Sequence, residues 1–298
     1  MPIHNPSGRP SYPYRHRWVR TAPSVRLHVV EAGPPHGERV VLLHGFPEFW
    51  YGWRHQIPAL ARAGYRVIVP DQRGYHRSSK PRRIQAYGIR HLVRDVRALI
   101  DATGGAPAHV VGHDWGAMVA WALAARAPQY VRRLGILNVP HPHVMRETLR
   151  TDPAQRIRSL YAAFFQLPYL PEWVLRARHG AGLALLMRLS SHPSTFPAAA
   201  LRRYRVAWRQ PGAVRSMLHW YRAALRTNDL RALPNTPIQP PTLVLWGAKD
   251  TALRAHMAPK SVARCANGRL MMLPEATHWV QHDCPDRVNQ TLGAFLEA

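Results

Sequence analysis

His109-Val110-Val111-Gly112-His113-Asp114-Trp115-Gly116-Ala117-Met118-Val119-Ala120-Trp121 is the stretch on which the fold turns. His109 to Gly112 is short and apolar, as a buried strand should be. Ala117 to Ala127 is an Ala-rich helical stretch that must end before Pro128. Between them lies Gly112-His113-Asp114-Trp115-Gly116, a G-x-X-x-G turn whose central residue is Asp114. Glycines on both sides permit a tight, strained bend that lifts residue X above the end of a sheet. The motif alone says little in a chain of 298 residues. Its place between a strand and a helix is what marks Asp114 as a functional residue.

Outward from that turn the same alternation repeats. Val25 to Glu31, Arg39 to Leu43, Tyr65 to Pro70, Leu134 to Asn138, Thr242 to Trp246 and Arg269 to Leu273 have the character of strands. Trp53 to Ala63 and Ile89 to Thr103 carry apolar residues at helical spacing, and a last helix is expected over Pro285 to Glu297. Strands alternating with helices predict an α/β fold with a mostly parallel central sheet flanked by helices. From about Pro140 to Leu225 the β-branched runs vanish, and helical stretches are broken by Pro168, Pro171, Pro193, Pro197 and Pro211. The expected organisation is a core in two parts, 1–139 and 226–298, with a helical cap at 140–225 inserted between them. Met1 to Arg20 reads as a polar leader.

Hydrophobic residues make up 46% of the chain and charged residues 19%, enough for a substantial core and against global disorder. No apolar run approaches the ~20 residues needed to cross a bilayer, and the N-terminal residues are rich in Pro, His and Arg. A cytoplasmic protein without membrane insertion is expected. Cys265 and Cys284 are the only cysteines and form no C-x-x-C pair, so they read as free thiols. The net charge of +25 attracts nucleic acid without specificity. All but three of the 41 basic residues are arginine, scattered without a dominant run, which favours a solvated surface over a dedicated groove. No specific nucleic-acid partner is expected, and a monomer and a homodimer fit equally.

The chemistry of aspartate narrows the reaction. A carboxylate attacking an ester or amide gives a high-energy anhydride. Attack on a saturated carbon bearing a leaving group gives an alkyl ester of Asp114, which forms readily and can still be hydrolysed. Epoxides and alkyl halides both fit. The positive end of the following helix favours the ionised carboxylate. Breaking the ester calls for water activated by a histidine that an acid holds in place. Asp250 follows the strand Thr242 to Trp246, and His278 follows the last strand in Ala276-Thr277-His278-Trp279. Nucleophile, acid and histidine then stand in the chain order of α/β-hydrolases. His278 would take a proton from water, while Asp250 fixes its tautomer and stabilises the imidazolium. The backbone N–H groups of Phe46, in His44-Gly45-Phe46-Pro47, and of Trp115 are the candidate oxyanion donors. This chemistry needs no cofactor and no metal.

Nearly the whole chain resembles the α/β-hydrolase-fold epoxide hydrolases, close to the soluble epoxide hydrolase group. The resemblance rests on His44-Gly45-Phe46-Pro47-Glu48, on Trp50-Tyr51-Gly52-Trp53-Arg54-His55-Gln56-Ile57-Pro58-Ala59-Leu60, on Gly112-His113-Asp114-Trp115-Gly116 and on His278-Trp279. It implies the α/β-hydrolase fold with a cap, conversion of an epoxide to a vicinal diol, and two cap tyrosines that bind the ring oxygen and protonate the leaving alkoxide. Tyr161, before Phe164-Phe165-Gln166-Leu167-Pro168, and Tyr221, in His219-Trp220-Tyr221-Arg222, match those positions. Tyr51, Tyr169 and Tyr204 are less well placed. One departure stands in Asp71-Gln72-Arg73-Gly74-Tyr75-His76-Arg77-Ser78, where the family often has Gly or Asn at His76, a position expected to need φ > 0. Phe46, Trp115, Phe165, Trp220 and Trp279 suggest an aromatic pocket for a small apolar epoxide.

Two other readings compete. A haloalkane or haloacid dehalogenase also uses an Asp nucleophile, and Trp115 would serve it too. Fluoroacetate dehalogenases place arginines just after the nucleophile, where this chain has Trp115 and Met118. An alkoxide leaving group needs a proton donor and a halide does not, so the tyrosine pair favours the epoxide. A non-catalytic binding protein on the same fold is the alternative from another class, and a complete Asp114, Asp250 and His278 set argues against it.

Overall fold

The computed structural model describes residues 3–4 and 10–298. Eight strands form one sheet: β1 (Arg15–Ala22), β2 (Val25–Ala32), β3 (Arg39–Leu43), β4 (Arg66–Pro70), β5 (Ala108–His113), β6 (Val131–Leu137), β7 (Thr242–Gly247) and β8 (Gly268–Leu273). Their spatial order is β8-β7-β6-β5-β3-β4-β2-β1. From β3 to β8 every neighbouring pair is parallel, while β4–β2 and β2–β1 are antiparallel. Parallel strands covered on both faces can be apolar throughout, and Val40 to Leu43, Val67 to Val69, Val110 and Val111 are all fully buried.

Helices α1 (Gln56–Arg62), α2 (Ile89–Ala102) and α3 (Trp115–Arg126) connect the first strands, and α12 (Pro285–Glu297) closes the chain. Six helices stand between β6 and β7: α4 (Pro142–Thr151), α5 (Pro153–Arg158), α6 (Leu160–Phe164), α7 (Leu170–Leu189), α8 (Ala198–Trp208) and α9 (Ala213–Arg226). α7 is kinked at Ala177–Gly180. Two short helices, α10 (Met257–Val262) and α11 (Val280–Asp283), follow β7 and β8. The chain leaves β3 toward β4 on one side and leaves β5 toward β6 on the other. That divergence opens a crevice at the carboxyl ends of β3 and β5, where open α/β sheets place their ligands.

Two local expectations need correction. The leader contains a strand, β1, which pairs along β2 at the sheet edge. Its signal is masked because an edge strand buries little: only Val19 and Thr21 of its eight residues are buried, among exposed Arg and His. The helix expected from Trp53 begins at Gln56, after a short turn at Trp50–Trp53. Pro58 explains the delay. A helix beginning at Trp53 would need the amide of residue 58 to reach back to Arg54, whereas in the first turn of α1 the missing N–H costs nothing.

Candidate active site

Asp114 sits between the end of β5 and the first residue of α3, at φ 50° and ψ −126°. A non-glycine residue in that region is strained by roughly 1–3 kcal/mol, and the surrounding packing must hold it there. Gly116 permits the packing, because a Cβ at that position would run into the carbonyls of Leu43 and His44. Gly45 is needed for the same reason, since its Cβ would collide with the Asp114 side chain. The Phe46 N–H donates to Asp114 Oδ1 at 2.6 Å. Trp115 opens α3, so its N–H has no partner within the helix. Oδ1 is thus held by the Phe46 amide, while Oδ2 is turned toward His278 without a hydrogen bond to it.

His278 Nδ1 donates to Asp250 Oδ2 at 2.7 Å, and its Nε2 lies 3.7 Å from Asp114 Oδ2, too far for a direct hydrogen bond. Burial disfavours the charged imidazole, but the Asp250 carboxylate and then Asp114 outweigh it and raise His278 to about 10. Asp250 is fully satisfied. Its Oδ2 also accepts from Asn138 Nδ2 at 2.8 Å, and Oδ1 accepts from the amides of Ala252 and Leu253 at 2.7 and 2.9 Å. Burial raises this carboxyl, yet His278 and these donors hold it below the ordinary carboxylate range. Asn138 was not singled out from sequence. It stands at the end of β6 with φ 50°, and its Oδ1 accepts from the Gly247 N–H at 2.9 Å, linking β6 to β7. Its one sequence signal was its place after a strand and ahead of Pro140.

Tyr161 on α6 and Tyr221 on α9 face Asp114 across a cavity of about 470 Å³. Their rings lie 6.0 Å apart, and Tyr221 stands edge-on to Trp115 at 5.0 Å and to Phe46 at 5.3 Å. Burial and the charge of Asp114 raise both hydroxyls above the ordinary tyrosine range, so each is a proton donor at neutral pH. Met118, Val139, Leu149, Leu225 and Leu253 make the wall apolar, with Arg146, Arg150 and Arg231 also along it.

The structure does not bring all five expected aromatics into that wall. Trp115 lines it. Phe46 and Phe165 pack behind Tyr221, with ring separations of 5.3 and 5.0 Å. Trp220 and Trp279 are elsewhere, contrary to the sequence reading. Successive residues on a helix point about 100° apart, so with Tyr221 turned to the cavity Trp220 turns away, donating its indole N–H to Arg73 O and packing on Tyr75. Trp279 lies between Phe196 and His113 and donates to Ser190 Oγ. Of the other tyrosines, Tyr204 donates to the buried carboxylate Glu48, and Tyr169 is 85% exposed.

A second buried layer supports the triad. Glu48, 1% exposed, accepts from Tyr204, Gln281 and His282. Gln281 in turn meets His113, whose Nε2 bonds to the His278 carbonyl at 2.9 Å. Burial works against the Glu48 charge, but His282 and His113 hold the carboxyl well below its usual range.

The family model for the alpha/beta hydrolase fold matches residues 38–285. A Bacillus subtilis protein described as AB hydrolase superfamily protein YfhM is 45% identical over 273 residues, spanning 92% of this chain and 95% of that protein. Epoxide hydrolase A from Mycobacterium tuberculosis is 35% identical across 91% of this chain and 94% of its own. The crystal structure of Bacillus megaterium epoxide hydrolase in complex with an inhibitor superposes with a TM-score of 0.86 at 31% identity, covering 95% of this chain and 100% of that one. No described helix is long and apolar enough to cross a membrane.

Proposed function

The chain belongs to the alpha/beta hydrolase fold family and is an epoxide hydrolase, and we propose that it opens the ring through a covalent ester on Asp114. Asp114 Oδ2 attacks one epoxide carbon, the C–O bond breaks, and Tyr161 and Tyr221 bind the departing oxygen and protonate it. An alkoxide is more basic than a phenolate, so the proton moves downhill even from tyrosines whose hydroxyls are held high. The proton lost by the tyrosine pair is restored from the His278 imidazolium. The first half-reaction thus ends with a neutral ester and a neutral histidine.

Water then attacks the ester carbonyl. His278 takes its proton, Asp250 stabilises the imidazolium, and the amides of Phe46 and Trp115 hold the oxyanion formed at Oδ1. Collapse expels the diol and regenerates the Asp114 carboxylate beside charged His278. The observation that carries this reading is a carboxylate on the elbow with two tyrosines opposite it in an apolar cavity.

Incubation with styrene oxide and with 1-bromobutane tests the reaction. Diol from the first is expected; halide release from the second without any diol would make the chain a dehalogenase. Asp114→Ala should abolish turnover. Mass spectrometry of His278→Gln after exposure to styrene oxide should show an adduct on the Asp114 peptide, because alkylation proceeds while hydrolysis stalls. An unmodified Asp114 peptide in that variant would reject the covalent route.

A further inference from the structure

Away from the triad, on the β4–β2–β1 side of the sheet, two imidazoles gather on one carboxylate, with a third imidazole behind them. Asp71 follows β4 and is fully buried. Its Oδ2 is met by His28 Nδ1 at 2.7 Å and by His76 Nδ1 at 2.8 Å. His28 is 1% exposed and His76 10%. The three donor atoms lie within 4.8 Å of one another. Behind them, His28 Nε2 faces His16 Nδ1 at 2.9 Å. The carboxylate is held from the other side, because the Trp50 N–H donates to Asp71 Oδ1 at 3.0 Å.

His76 occupies its place at a cost. Its φ of 38° lies in the left-handed region, where glycine carries no penalty and a side chain does. A bulky residue kept there, with its ring nitrogen turned onto the atom that His28 also addresses, calls for an explanation beyond packing.

We propose that His28, His76 and Asp71 form a binding site for a divalent cation of the zinc class. Two imidazole nitrogens and one carboxylate oxygen are the donor types such an ion takes, at about 2.0–2.2 Å, with a fourth position left to water. Seating the ion requires the nitrogen–oxygen separations to open to about 3.3 Å, the edge of a tetrahedron of that size. It also requires each neutral imidazole to carry its proton on Nε2 instead of Nδ1. For His28 the acceptor is already in place. His16 Nδ1 would receive that Nε2–H, the outer-shell bond that fixes the tautomer of a metal-bound histidine. A cation there ties β1, β2 and the loop after β4 together and stiffens the antiparallel edge of the sheet.

The test uses the full chain, freed of metal with EDTA and titrated with Co2+. One equivalent should bind per chain and give the visible absorption of a tetrahedral site, and Zn2+ should displace it. His76→Gly suits its backbone angle and should lower affinity at least tenfold. His16→Asn, an exposed change on β1, should lower it about tenfold by removing the outer-shell partner. Co2+ that binds only weakly and without fixed stoichiometry would overturn the proposal and leave a hydrogen-bonded hub. So would affinity unchanged in His16→Asn, or in a folded His76→Gly.

Discussion

Replacing Asp114 by asparagine should return His278 to the ordinary histidine range. In the free enzyme the imidazole lies between two carboxylates, with Asp250 Oδ2 at 2.7 Å and Asp114 Oδ2 at 3.7 Å, and titrates at about 10. A unit charge at the longer distance contributes about 4 kcal/mol at an effective dielectric near 20. Removing it brings the imidazole down to about 7. In the proposed route, alkylation of Asp114 would remove the same charge, so the first chemical step would itself convert His278 into a group able to act as a base at neutral pH. The assay is a titration of the His278 ring nitrogens by 15N NMR, with His278→Gln assigning the signal. Stability should follow. The raised value means that the contribution of His278 is complete below its unfolded value near 6.5 and is lost as pH climbs through about 10. Between pH 7 and 10 the urea midpoint of the parent should therefore fall more than that of Asp114→Asn. An imidazole that still titrates above about 9 in the variant would refute the electrostatic link.

Three further outcomes are expected. Asn138→Ala removes the bonds to Asp250 and to the Gly247 amide and puts alanine at φ 50°, so a loss of about 2–4 kcal/mol should appear in urea unfolding, with slower diol formation. Gly45→Ala drives a methyl group into the Asp114 carboxylate, and turnover of styrene oxide should drop about 100-fold while far-UV circular dichroism stays native. Below pH 4 the protein should lose stability steeply. Glu48, Asp71 and Asp250 are all buried and held below the ordinary carboxylate range, so their contributions are present above an unfolded value near 4 and vanish as pH falls through the folded ones; urea midpoints at pH 5 and pH 3 check this.

The parallel strands were legible because burial on both faces leaves an unbroken apolar run, as in Val40 to Leu43. β1 was hidden because an edge strand of Arg and His satisfies its ladder without a core-facing pattern. Asp114, Asp250 and His278 could be named from their places after strand ends, and the fold gathers both carboxylates around His278, Asp250 Oδ2 at 2.7 Å and Asp114 Oδ2 at 3.7 Å. Residues that act through a partner left no such mark. Asn138 and Glu48 depend on contacts with Asp250, His282 and Gln281, more than 100 residues away in the chain. Trp220 and Trp279 were misplaced because aromatic character says nothing of which way a side chain turns, whether on a helix as for Trp220 or just ahead of one as for Trp279.

The backbone at Asp114 has a further meaning. Its angles, φ 50° and ψ −126°, would be comfortable only for glycine. A glycine there would relieve the bend and remove the proposed nucleophile in the same stroke. Selection for thermal robustness and selection for turnover therefore pull this single codon in opposite directions. In any lineage released from the need for the reaction, the elbow is the place where drift toward a sturdier, silent protein should begin.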